Sequence, residues 1–379
     1  MKNNIRTIYH HLMKYITLIL AVFFISTPVF SQSISISVQE GYEDFGINEF
    51  PLKGNSFLFD GEQFSLGEYQ FFNPISWDVS PKGYKASILK STGSLKLRSL
   101  NSDGKSLIKK ELEFFDPADE TIRTYQVNDG RTIIRDNVAN FSFFDPKGGM
   151  IFSESNSAQA EGGERESQLQ MDKYGKTVVL YNPVIRYTDQ NGSRAKLVYG
   201  DQDSDLFFQD MEREIERVSV TENGLFISIL AKNDSGSRVL IYDRFGNALN
   251  RIDFDDDLIG AVLSPNGEYL TTFTTGRVQV YHHVSGERLG SSSSRASIIH
   301  ANYLPEDETV IIFGGSLEGK TVTNPSLSAV HLQRREISRQ DINMSLSVLF
   351  ANRLSINRID SNLYAIEGVN RPLEVQVAW

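Results

Sequence analysis

Apolar residues in this chain come in short runs broken by turn formers, as in 177–181 (TVVLY), 225–230 (LFISIL), 239–242 (VLIY) and 310–313 (VIIF). Their length and their β-branched and aromatic content predict strands. Several are apolar at consecutive positions, the pattern of a strand covered on both faces. No segment beyond residue 31 shows a long, capped helical period. The acidic stretch 205–217 offers about two turns of helix and no more.

The breaks between the runs recur. First turns end at Gly83, Gly130, Gly175, Gly224 and Gly267, which lie 47, 45, 49 and 43 residues apart, and weaker copies follow at 305–308 (PEDE) and 360–362 (DSN). Second turns at Gly104, Gly148, Gly192, Gly246 and Gly286 come 21, 18, 17, 22 and 19 residues after the first. Glycine and asparagine at such points supply the positive φ of tight hairpins. Two hairpins at a near-constant offset make four short antiparallel strands per repeat, the signature of a propeller blade.

The pattern therefore predicts an all-β fold, a seven-bladed β-propeller of four-stranded antiparallel blades forming a single domain over 32–379. The blades fall near 75–116, 121–155, 167–200, 216–254, 258–291, 296–341 and 346–379. The last repeat lacks a fourth strand. The alternating stretch 33–39 can supply it, closing the ring with an N-terminal strand and removing an open sheet edge. Residues 41–74 follow no part of the rhythm.

At 264–270 (SPNGEYL) and 80–83 (SPKG) the chain resembles bacterial WD40-like propeller repeats, whose blades often carry such a turn between their first two strands. The Gly-His and terminal Trp-Asp signatures of strict WD40 repeats are missing. Trp77-Asp78 occurs, but it leads into a first turn. The resemblance implies a propeller that is a binding platform more often than an enzyme.

Residues 1–31 have the build of a secretory signal peptide. Lys2, Arg6 and Lys14 precede an uncharged apolar run over 15–25, Pro28 breaks it, and Val29 and Ser31 stand at −3 and −1, so that cleavage leaves Gln32 first. The apolar run is shorter than the roughly 20 residues of a spanning helix, so no membrane span is expected after cleavage. The chain has no cysteine. That excludes disulfides, thiolate nucleophiles, Cys-ligated zinc and a lipidated N-terminal Cys, and points to a periplasmic or secreted protein, not a lipoprotein, held by core burial alone. Losing Lys2, Arg6 and Lys14 with the leader takes the formal charge from −10 to −13. Such a surface repels nucleic acid and anionic membranes and favours a protein or peptide ligand with a basic patch. A monomer is expected.

Three motifs invite chemistry. The stretch 314–321 (GGSLEGKT) matches the phosphate-loop pattern, but β-branched residues and Pro325 follow where a helix is required, so a hairpin loop of the sixth blade is the better reading. Asp201, Asp203, Asp205 and Glu212 fall at positions 1, 3, 5 and 12 of a calcium loop, with Leu206 where glycine belongs. They make Ca2+ the one cofactor with any sequence support and those four residues its candidate ligands. His282, His283, His300 and His331 show no metal-ligand spacing, and His282 and His283, adjacent on a strand, are expected to point to opposite sides. No catalytic residue is identified.

In a four-stranded blade the first and third hairpin turns share one face of the disc, and the middle turns and inter-blade links share the other. The tight glycine turns belong to the first face. The long segments 153–166, 200–216, 254–257, 291–296 and 314–327 fall on the second, and the first three hold fourteen carboxylates against Arg165 and Arg213. Their acids predict an acidic rim, with Asp201, Asp203, Asp205, Glu212, Asp255, Asp256 and Asp257 as binding residues for a basic protein segment or divalent cations. The leading expectation is an exported, non-catalytic platform. The alternative is a propeller enzyme acting on an extracellular polysaccharide through carboxylates over the central channel.

Overall fold

The computed structural model describes residues 33–38, the backbone of three short strands between 52 and 65, most of 76–154 and 167–198, and residues 204–348 and 354–379. Residues 1–31, read above as a signal peptide, lie outside them. Strands follow one another as antiparallel meanders. The first blade is Ser76–Val79, Lys85–Ser91, Ser94–Leu100 and Ser106–Glu111, and the second Arg123–Gln126, Thr132–Arg135, Phe141–Phe144 and Met150–Glu154. The third is Gln168–Met171, Val178–Tyr187, Gln190–Val198 and Ser204–Asp210, and the fourth Glu214–Val220, Phe226–Asn233, Gly236–Asp243 and Ala248–Phe254. The fifth is Gly260–Leu263, Tyr269–Phe273, Arg277–His282 and Arg288–Ser293, and the sixth Ile298–Leu304, Thr309–Glu318, Thr321–His331 and Glu336–Asp341, with Leu346–Ser347 added.

The seventh blade is built from both ends of the chain. Ser355–Asp360, Leu363–Glu367 and Leu373–Ala378 supply three strands, and Ser33–Val38 pairs antiparallel with the last of them from Ser33↔Ala378 to Val38↔Leu373. The described residues thus form seven sheets of four strands or more. This is the all-β propeller architecture that the turn rhythm predicts, with its N-terminal strand in the last sheet. Within 41–74, outside the rhythm, Leu52–Lys53, Ser56–Phe59 and Glu62–Ser65 form a separate three-stranded antiparallel sheet.

The turn chemistry explains why the rhythm is legible. Where the first strand of a blade ends, a side-chain oxygen accepts the backbone N–H that opens the second. Ser80 Oγ receives Tyr84 N–H at 3.1 Å, Asp172 Oδ2 receives Thr177 N–H at 2.5 Å, Thr221 Oγ1 receives Phe226 N–H at 3.0 Å and Ser264 Oγ receives Tyr269 N–H at 3.1 Å. Short polar side chains are favoured there because they replace a backbone partner across the bend. Gly267 closes one of these turns at φ +80°, and a Cβ there would sit 2.2 Å from the Phe226 ring of the preceding blade.

The core is layered between blades. Six apolar clusters among the described residues each join two consecutive sheets, from Ile88, Leu97, Ile134 and Phe144 between the first and second to Phe313, Leu327, Tyr364 and Val375 between the sixth and seventh. Middle strands are therefore covered on both faces: Thr132–Arg135 and Phe141–Phe144 are buried at every position. Outer strands such as Ala248–Phe254 have no buried position. Side chain to backbone hydrogen bonds stitch the layers. Asp78 Oδ2 accepts Gln126 N–H at 2.6 Å, Thr271 Oγ1 accepts Tyr303 N–H at 3.0 Å and Thr177 donates to Gly224 O at 2.8 Å.

Three expectations need correction. Residues 205–217 are not helical: Ser204–Asp210 is the outer strand of the third blade and Glu214–Val220 the inner strand of the fourth. A free edge along Ser193–Val198 offers the segment a full set of ladder bonds, which outweighs a weak local helical preference. Gly192 does not close the outer hairpin. The middle strands of that blade are 10 and 9 residues long, which places Gly192 inside the third strand, beside the middle turn. Finally, 314–327 is not an irregular segment, because Thr309–Glu318 and Thr321–His331 continue as a hairpin through it.

Candidate functional site on the link-bearing rim

The links between blades and the middle hairpin turns share one rim, and the structure redistributes the acids assigned to it. Asp201 and Asp203, with Glu161, Glu164, Arg165 and Glu166, lie outside the described residues. Asp205 is exposed on the outer strand of the third blade, and Glu212 sits in the three-residue link between the third and fourth blades, where its N–H is held by Asp210 Oδ1 at 2.9 Å. The strand places Asp205 and Glu212 at different levels of one edge rather than around one loop. Among the described residues no group of three or more His, Asp or Glu side chains converges to hold a metal ion.

Asp255, Asp256 and Asp257 do come together, in the link between the fourth and fifth blades, because Ala248–Phe254 ends there and Leu258, fully buried, anchors the entry to the next strand. Ser237 fastens the link: its hydroxyl donates to Asp256 O at 2.8 Å and accepts Leu258 N–H at 3.0 Å. The carboxylates are not left uniformly bare. Arg277 pairs with Asp256 at 2.5 Å, Lys232 with Asp257 at 2.8 Å and with Glu216 at 3.9 Å, and Arg238 with Asp253 at 2.6 Å and Asp210 at 3.7 Å. Burial pushes the Asp253 carboxyl up, but Arg238 and Arg251, the latter at 3.0 Å, together hold it below the ordinary carboxylate value. These bases stand on strands, so a count of charges along the loops misses them. Asp255 has no ion pair among the described residues, and the Asp257 side chain remains 86 % exposed.

Toward the axis, sequence reasoning passed over a second group. Arg217, on the inner strand of the fourth blade, reaches past the fifth blade to His300 on the inner strand of the sixth, with Nη1 and Nδ1 3.5 Å apart. Its guanidinium lies 5.9 Å from the centre of the Phe273 ring, which stands edge-on to the His300 ring at 6.0 Å. Residue 260 beneath is glycine, and a Cβ there would meet the Phe273 ring at 2.1 Å. Burial, and then the Arg217 charge, hold His300 well below its ordinary pKa, so its ring is neutral and Nδ1 accepts from the guanidinium. Burial also pushes Tyr181 upward; its hydroxyl donates to Gln168 Oε1 at 2.6 Å. No carboxylate pairs with Arg217 among the described residues. The only signal in the sequence is a buried-strand histidine and arginine 83 residues apart.

His282 and His283 do not diverge. Their rings stack at 6.1 Å with planes 4° apart. The strand ends at His282, so the alternation of side chains stops before His283 enters the turn. Exposed apolar side chains occur on both faces: Leu225, Phe245 and Val284 at hairpin turns of the fourth and fifth blades, and Leu206 and Met211 beside Asp205 and Glu212.

No family model matches the chain, and no curated protein matches it. Among solved structures it is similar to BamB from Moraxella catarrhalis, at 14 % identity over 90 % of this chain and 97 % of that one, with a TM-score of 0.48. It is also similar to the Dos1 propeller, at 11 % identity over 79 % and 77 % with a TM-score of 0.49, and to a chain of the mitotic checkpoint complex, at 11 % over 80 % and 89 % with a TM-score of 0.48. The fold stands on this chain's own strand pairings. Among the described residues no helix is long and apolar enough to cross a membrane.

Proposed function

We propose that this chain is an exported, non-catalytic propeller that binds a basic protein or peptide segment on the rim around Asp255, Asp256 and Asp257. The observation that carries the reading is the link itself. Three consecutive carboxylates are presented on a backbone fixed by Ser237, with Asp255 unpaired among the described residues and Asp257 mostly in solvent. A preorganised acidic loop on a rigid disc attracts a cationic segment and orders little on binding. The carboxylate enzyme reading finds less support in the two shifts at hand: Asp243 and Asp253 are held below their ordinary value, and a general acid needs the reverse.

Hexalysine, titrated calorimetrically into the mature chain at low and high salt, tests the site. Asp255→Asn with Asp257→Asn is expected to weaken binding about tenfold at low salt and to flatten its salt dependence, while Asp256 is left to Arg277. Unchanged affinity and salt slope would refute the rim. For the export half of the reading, N-terminal sequencing of the mature protein is expected to begin at Gln32.

A further inference from the structure

The sixth blade carries the longest hairpin among the described residues, with strands of 10 and 11 residues. The pairing register shifts between Gly314 and Ser316, opposite Asn324, whose φ is +49°. The hairpin bends there, and beneath the bend lies an open cleft of about 500 Å³. Two arginines, Arg295 and Arg339, and one carboxylate, Asp341, line it with the polar side chains of Ser297, Ser316, Asn324 and Asn343. The glycine-rich stretch 314–321, which reads as a phosphate loop by pattern alone, thus lines a cleft without forming one.

The cleft is held in shape from three sides. Gly315 N–H donates to Ser297 O at 2.9 Å, tying the bend to the link before the blade. Ile342 N–H donates to Pro325 O at 2.8 Å, tying the hairpin to the link after it. The hairpin tip is covered by an added strand: Thr321 pairs with Ser347, Val322 with Leu346, and Val348 N–H donates to Lys320 O at 2.7 Å. Val322 and Leu346 are fully buried there. No other blade has such a strap among the described residues.

We propose that this cleft binds a ligand through a carboxylate group. Its charge is opposite to that of the protein as a whole, which carries −10. Arg295 is exposed and has no ion pair among the described residues. Arg339 meets Asp341 through a single nitrogen at 3.4 Å, and that carboxylate is 76 % exposed, so most of the guanidinium's donors are unspent. Two planar cation forks suit a carboxylate, which takes paired N–H donors. The hydroxyls of Ser297 and Ser316 and the amides of Asn324 and Asn343 can hold the polar remainder. The volume is that of a small-ligand site, roughly 300–1,000 Å³. The carboxylate can come from a peptide C-terminus or from a sugar acid.

Three probes separate these sources by calorimetry on the mature chain: N-acetylglycylglycine, its C-terminal amide, and glucuronate. At least one acid is expected to bind, with Kd about millimolar, and the amide is not. Binding of the peptide acid alone assigns a C-terminus, and binding of glucuronate alone a sugar acid. Arg295→Gln and Arg339→Gln are each expected to weaken the acid about tenfold, and Asp341→Asn to tighten it by removing a competing carboxylate. Hexalysine binding should be unchanged in Arg295→Gln, which separates this site from the acidic link. Failure of both acids to bind overturns the proposal, as does equal binding of acid and amide, or acid binding that survives in the double arginine variant.

Discussion

His300 shows how far a single residue depends on its neighbours. Its folded pKa is depressed by burial and by Arg217, whereas in the unfolded chain it titrates near the ordinary 6.5. On acidification from pH 7 the unfolded state therefore takes up a proton that the native state refuses, and stability falls as pH drops through the unfolded value. His283 is shifted the same way, first by burial, and adds to the slope. The urea midpoint is expected to fall between pH 7 and pH 5, and to fall less in His300→Gln, where one of the two protons is no longer refused; equal falls in both proteins would remove His300 from the account. Legibility at this scale splits by distance along the chain. Ser264 and Thr221 could be read as turn residues because their partners lie five positions away. Arg217 and His300 could not, because their contact depends on two blades enclosing a third.

Strands were readable from composition, and their lengths were not. The hairpins near Gly224 and Gly267 match the rhythm because their blades have the ordinary length. In the third blade two long strands push Gly192 away from the expected turn, and the outer strand slides into the acidic stretch 204–210. Loop charge inherits that error, since carboxylates placed in a link prove to stand on a strand. The sixth blade shows the same blindness in another form: the sequence marks a hairpin at 314–321 but nothing in it announces the strap Leu346–Ser347. That strap works through Leu346, fully buried against the hairpin. Leu346→Ala is expected to cost about 2–5 kcal/mol in urea unfolding. Amide exchange over 316–324 should quicken more than over the hairpin of the fourth blade. Uniform quickening across both blades would mean that Leu346 supports the core generally and does not brace the hairpin.

At the scale of the whole molecule the decisive element is the pairing of residues 33–38 with the last strand. Each inter-blade layer is bounded by a sheet on either side, so an incomplete seventh blade would weaken its layer with the sixth. Ile34 is buried in that layer, with Ile36 packed against it beside Val377 and Leu373. The pairing also covers the outer edge of Leu373–Ala378, which would otherwise offer unpaired N–H and C=O groups to any other strand. Two separable consequences follow. Ile34→Ala leaves the backbone ladder in place and is expected to lower stability by about 2–5 kcal/mol through lost burial alone, with the oligomeric state of the parent chain unchanged. Removing residues 32–38 opens the edge as well, and is expected to add concentration-dependent association that Ile34→Ala lacks. A synthetic peptide of sequence QSISISV should reverse both effects by re-entering the sheet as a strand. If the truncated chain unfolds at the wild-type midpoint, stays monodisperse in size-exclusion chromatography and ignores the peptide, the seventh blade holds without its N-terminal strand. Three strands would then suffice to close the ring of this propeller.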